Sequence, residues 1–132
     1  MEIYPPKKIK IARVKGKGRG VFATKKIHTG EIIEYCPVIF ISEKESLFFE
    51  KEDTVLEYYY MFQREFNNSC VIFGYGSIYN HSRNPNAEVD YNLKKLQNFV
   101  LFRAIKNIKP GEEITFDYEF VNGKEEFFKL PF

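Results

Sequence analysis

Sulfur and imidazole are scarce in this chain: of its 132 residues, two are cysteine and two are histidine. Cys36 and Cys70 by themselves make neither a disulfide framework nor a zinc site. His28 and His81 stand far apart, so no metal centre is expected. Long apolar runs are also missing, since none approaches the ~20 residues that a membrane span requires. Residues Met1 to Lys10 carry charge but no apolar stretch of the signal-peptide kind, so the compartment reads as reducing and intracellular. In that setting the glycosylation-like triplets Asn67-Asn68-Ser69 and Asn80-His81-Ser82 are coincidence. Internal repeats and low-complexity linkers are absent. No serine or cysteine comes with an evident base and orienting acid, which excludes the usual nucleophilic hydrolases.

Aromatic side chains, by contrast, are plentiful. Fourteen Phe and nine Tyr, within a 44% hydrophobic composition, supply enough apolar area for one core and one domain. The net charge of +2 conceals an asymmetry. Residues 1–30 hold nine Lys or Arg against Glu2 alone, a balance of +8, while the remaining residues balance to −6. The basic arm suits a nucleic acid, or simply a solvated strand face, and the acidic remainder suits a lysine-rich peptide through electrostatic steering.

Alternation of apolar and basic residues predicts a half-exposed strand over Ile9 to Val14. Gly16, Gly18 and Gly20 should break it, and Val21-Phe22-Ala23 should resume it. Ile32 to Tyr35 and Val38 to Ile41 read as two strands around Pro37. Ser42 with Glu45 is a capping box, so a short helix is expected from Glu43 to about Lys51. Tyr58 to Phe62 and Cys70 to Phe73 look like further strands. A brief helical turn should carry Ser77 to Tyr79. Glu88 to Tyr91 should pair with Asn98 to Ala104 across a connection at Asn92 to Leu96, and Lys109-Pro110-Gly111 should turn into a last strand, Ile114 to Phe116. Many short strands with frequent turns predict a mostly β domain.

Three segments combine residues that are costly unless they are used. Gly16-x-Gly18-x-Gly20 lets backbone approach a ligand closely, although it is neither the dinucleotide fingerprint nor a P-loop. Taken alone it is also a common structural turn. Asn80-His81-Ser82, followed by Asn84-Pro85-Asn86, makes a self-hydrogen-bonding turn. Glu112-Glu113-Ile114-Thr115-Phe116-Asp117-Tyr118 ends a strand in a phenol, which on its own would be an ordinary core tyrosine.

Together, over about residues 9 to 120, these segments resemble the signature motifs of the SET-domain protein-lysine methyltransferases. The resemblance is to the minimal viral and bacterial forms, without the cysteine-rich zinc segments that flank the domain elsewhere. It implies a single domain over 1–132 and a β-clip of small curved sheets, with a knot-like C-terminal region and one or two short helices. It also implies S-adenosyl-L-methionine as cofactor, bound by Lys17, Gly18, Arg19 and Gly20 and by Asn80, His81 and Tyr118. Asn80 would take the amino-acid end, and the His81 main chain the adenine, its ring being structural. Tyr118 becomes the catalytic phenol, Phe116 and Tyr75 line the substrate lysine channel, and no metal is involved. A Phe at position 116 favours di- or trimethylation over monomethylation. The substrate implied is a protein lysine, in a histone tail by family habit, with the enzyme in the cytoplasm or nucleus, or in a host nucleus if viral.

The lysine channel must be completed by something else. Phe120, Phe127, Phe128 and Phe132 of the 120–132 tail are candidates, as is a homodimer partner; equally, the tail could pack on the core. Two other readings of the chain stay open. One is a catalytically silent SET-like module that binds a peptide or protein partner; the other is a small β-domain whose basic arm contacts nucleic acid.

Overall fold

The computed structural model describes residues 5–52, 61–64, 68–90 and 99–118. Nearly half of the described residues are strand and about a tenth helix, arranged in curled sheets. The alternation at the start produces β1 (Ile9–Val14), which turns back antiparallel into β2 (Gly18–Ala23). The strand resumes earlier than the glycine pattern predicts. Gly16 and Gly18 hold φ of 81° and 83° and make the turn, whereas Gly20 lies inside β2 opposite Ala12.

β3 (Ile32–Ile41) is one ten-residue strand where two were expected. It pairs with β8 (Phe99–Ala104) through Pro37 and with β5 (Asn68–Ile72) from Val38 onward. Pro37 therefore sits where β3 changes partner, and its missing N–H interrupts little; its carbonyl accepts from Phe73 N at 2.9 Å.

The capping box forms as expected. Ser42 N donates to Glu45 Oε2 at 2.9 Å and Glu45 N to Ser42 Oγ at 3.2 Å, opening α1 (Glu43–Lys51). β4 (Met61–Arg64) pairs with β5; residues Tyr58 to Tyr60 of that expected strand lie outside the described residues. β6 (Asn80–His81) follows a turn over Gly74–Ile78. β7 (Ala87–Asp90) pairs with β8 as predicted, while the connection at 92–96 and the 120–132 tail are outside the described residues. β9 (Glu113–Phe116) ends the described chain's sheets.

Two sheets result among the described residues, ordered β1-β2-β9-β6 and β4-β5-β3-β8-β7. Val21, Ile27, Val100, Phe102, Ile108 and Ile114 fill the core between them, fully buried. The pairing that matters for function is β9. It lies between β2, antiparallel through Val21↔Ile114, and β6, parallel through Asn80↔Thr115. Hence the glycine-rich strand, the Asn80 segment and the strand leading to Tyr118 share one small sheet.

Candidate active site at the junction of β2, β6 and β9

β9 stands between β6 and β2, yet the Asn80 side chain reaches the glycine-rich strand. Its Nδ2 donates to the Arg19 carbonyl at 2.9 Å and to Glu113 Oε2 at 2.6 Å. Gly20 makes that approach possible: a Cβ there would stand 2.8 Å from Asn80 Nδ2 and 2.4 Å from Glu113 Oε2. Asn80 Oδ1 accepts no hydrogen bond among the described residues, so the amide keeps one acceptor open. Lys17, Gly18 and Arg19 line, with Ile11, Ala12 and Arg13, an open groove of about 720 Å³. Gly20, Asn80, His81 and Tyr118 do not line that groove; His81 and Tyr118 belong to the other half of the site.

That half is built around the Asn80-His81-Ser82 turn and the end of β9. Ser82 N donates to the Phe116 carbonyl at 3.1 Å, and Tyr118 N donates to His81 Nδ1 at 3.0 Å. His81 Nδ1 lies 3.6 Å from Asp117, but an ion pair there requires a protonated ring, which would forfeit the bond from Tyr118 N. The ring thus anchors the Tyr118 backbone. Asn86, from the same motif, clips β9 from the side. Its Nδ2 donates to the Glu113 carbonyl at 2.8 Å and its Oδ1 accepts from Thr115 N at 2.9 Å.

The Tyr118 hydroxyl donates to the Tyr79 main-chain carbonyl. Its ring packs 4.8 Å from Phe116 and 5.2 Å from His81. Burial, aided by the nearby Glu113 carboxylate, pushes the phenol up to about 12. At neutral pH it is therefore a neutral donor and not a phenolate. Phe116, 4% exposed, is ringed by Tyr79, Phe102 and Tyr118. Tyr75 is partly buried against the core, its N–H donating to Glu34 Oε2 at 3.0 Å.

Two carboxylates to which the motifs assign no role, Glu113 and Glu34, stand at the site. Glu113 touches Asn80 directly. Glu34 lies buried under the 74–79 turn, where Tyr79 Oη donates to its Oε1 at 2.7 Å. The available signal was phase: Glu34 alternates with Cys36 and Val38, the buried side of β3. No group of three or more His, Cys, Asp or Glu able to hold a metal occurs among the described residues.

A family model described as the SET domain matches residues 18–119. A Schizosaccharomyces pombe protein named histone-lysine N-methyltransferase, H3 lysine-37 specific, is 30% identical over 110 residues, covering 83% of this chain and 72% of the relative. The crystal structure of Cryptosporidium CpSET8 superimposes with a TM-score of 0.66 at 27% identity, covering 83% of this chain and 56% of that one. A structure of ctPRC2 in an autoinhibited conformation, bound to S-adenosylmethionine, superimposes with a TM-score of 0.67 at 26% identity, covering 87% of this chain and 15% of that one.

Proposed function

The chain belongs to the SET-domain family of protein-lysine methyltransferases, and from that premise we propose that it methylates the ε-amine of a histone lysine to the di- or trimethyl state. The observation that carries this reading is β9 lying between β2 and β6. It puts the Asn80 segment and the strand that leads to Tyr118 in one sheet with the glycine-rich strand.

The residues present fit S-adenosylmethionine, the cofactor of this family. Asn80 Oδ1 offers an acceptor to an ammonium group. At Gly18 nothing stands within 4 Å of where a Cβ would be, which leaves that backbone open to a ligand. Lys17 to Gly20, Asn80 and the His81 main chain would hold the cofactor, with Tyr118 at its reacting end. When bound, it supplies a sulfonium methyl group for in-line displacement by an amine.

The protein's own part is positioning and desolvation. A free lysine titrates near ~10.4 and must lose its proton before it attacks. Burial beside a positive sulfonium lowers that value, so no dedicated base is required. Glu113 and His81 Nδ1 are both already engaged by hydrogen bonds. Tyr75, Phe116 and Tyr118 supply aromatic surface that accepts a methylated ammonium through cation–π contact.

The test is incubation with methyl-labelled S-adenosylmethionine and core histones, with label mapped by mass spectrometry. Two or three methyl groups on one lysine is the expected result. Label confined to other proteins would remove the histone assignment, and no label at all would favour a silent peptide-binding module. Phe116→Tyr places a hydroxyl among Tyr79, Phe102 and Tyr118. It should shift products toward monomethyl while keeping the first transfer within about tenfold of wild type; an unchanged product distribution would detach Phe116 from product control.

A nucleic-acid contact forms a second part of the proposal. Arg13 and Arg19 stand directly opposite each other in the β1–β2 register, an arrangement that like charges disfavour, with Lys15 and Lys17 in the turn. None of the four makes an ion pair among the described residues. Duplex DNA should therefore bind with strong salt dependence, and Arg13→Ala should reduce the slope of log K against log salt by about 1. Binding indifferent to salt would overturn this contact. A nuclear location follows from a chromatin substrate, and no helix among the described residues is long and apolar enough to cross a membrane. A homodimer that completes the lysine channel remains part of the proposal, to be checked by sedimentation.

A further inference from the structure

Glu34 is the one buried carboxyl among the described residues. It is 5% exposed, and no Lys or Arg among the described residues pairs with it. A carboxyl buried without a cation costs stability unless neutral donors satisfy it, and an apolar residue would fill the space at less cost. Here both oxygens are satisfied by one short segment. Oε1 accepts from Tyr79 Oη at 2.7 Å and Oε2 from Tyr75 N at 3.0 Å. The turn is moulded to the carboxyl: Gly74 has φ of 70°, and a Cβ on it would stand 2.6 Å from Oε2.

What that turn carries gives the arrangement its consequence. Tyr79 is held twice by unrelated atoms. Its phenol is tied to Glu34, and its main-chain carbonyl receives the Tyr118 hydroxyl. Its ring also stacks 4.4 Å from Phe102 and edges onto Phe116. We propose that Glu34 is a positioning residue for methyl transfer, fixing Tyr79 and through it the acceptor that orients the Tyr118 hydroxyl, while setting Tyr75 at the lysine channel. This inference rests on the methyltransfer reading above. Desolvation pushes the Glu34 carboxyl upward, the donors from Tyr75, Tyr79 and Cys36 pulling the other way, as expected of a group held for orientation and not for charge.

The test compares wild type with Glu34→Gln, Tyr79→Phe and the double variant. Glu34→Gln keeps the shape but can accept from only one of the two donors. Tyr79→Phe keeps the ring packing and the carbonyl and removes only the tether. Each variant should fold, as judged by thermal melting. Each should lose about tenfold or more in kcat, with cofactor Kd within about threefold of wild type, because Asn80, Arg19 and Glu113 do not touch Glu34. The double variant should be no slower than the worse single one, since both cut the same link. A merely structural glutamate would lower the melting temperature and leave kcat alone. Should Glu34→Gln fail to fold, Tyr79→Phe decides the matter. Folded variants with wild-type kcat, a loss confined to cofactor Kd, or losses that multiply in the double variant would each overturn the positioning role alone. A wild type that transfers no methyl group would overturn the methyltransfer reading and this inference with it.

Discussion

Tyr118→Phe should fold, bind S-adenosylmethionine with near wild-type affinity, and lose turnover by about a hundredfold or more. The affinity expectation follows from how the ring is held. Its backbone N–H is fixed by His81 Nδ1 at 3.0 Å, and its faces pack on His81 and Phe116, none of which depends on the hydroxyl. Only the bond to the Tyr79 carbonyl is lost, a stability cost of about 1 kcal/mol. The turnover expectation follows from geometry, since that bond aims the phenol oxygen at one point of a largely desolvated site. With the phenol pushed up to about 12, it stays protonated across the working range. The wild-type rate should therefore climb with pH as the substrate amine loses its proton, with no break from Tyr118 below about pH 11. Single-turnover rates at saturating cofactor, with Kd measured by calorimetry, check both halves. Equal rates for variant and wild type would take Tyr118 out of the mechanism.

What could be read from residues alone had a local cause. The β1 strand is written in the alternation of Ile9, Ile11 and their basic neighbours, and α1 in the reciprocal bonds of Ser42 and Glu45. The β7–β8 pair needed only two alternating runs with a connection between them. The less legible features are non-local. β6 is two residues long and pairs in parallel with a strand more than thirty residues away, so no periodicity announces it. Family resemblance placed Asn80, His81 and Tyr118 together, but it gave no role to Glu113, which lies in the same motif and whose carboxylate meets Asn80 because β9 pairs with β6. Glu34 was hidden by its type. A glutamate on a strand reads as solvent-facing, although its phase with Cys36 and Val38 puts it inside. Pro37 misled in the same way: a break signal in isolation, it falls where β3 changes partner and breaks nothing.

The second large effect concerns Gly20. Gly20→Ala should weaken cofactor binding on the order of a hundredfold, about 2.7 kcal/mol, while kcat at saturating cofactor changes much less. The backbone at this position is not left-handed, so the cause is space and not torsion. A methyl group would meet Glu113 Oε2 at 2.4 Å, Asn80 Nδ2 at 2.8 Å and Val14 Cγ2 at 2.9 Å. Glu113 can swing away, but it then gives up its bond from Asn80. Asn80 cannot follow freely, because Arg19, the neighbour of the substituted residue, holds it at 2.9 Å. The substitution thus parts the two elements whose approach makes the cofactor cradle, and leaves the Tyr118–Tyr79 contact untouched. Gly18→Ala separates space from strain. Gly18 has φ of 83° and nothing within 4 Å of the added atom, so alanine there should cost about 1 kcal/mol of stability and little affinity. Titration calorimetry on both variants, beside their melting temperatures, distinguishes the cases. If Gly20→Ala binds like wild type, the cofactor does not lie where the Asn80 side chain approaches β2. If both variants lose affinity equally, the turn acts as one flexible unit, and the close approach at Gly20 is not what the cofactor depends on.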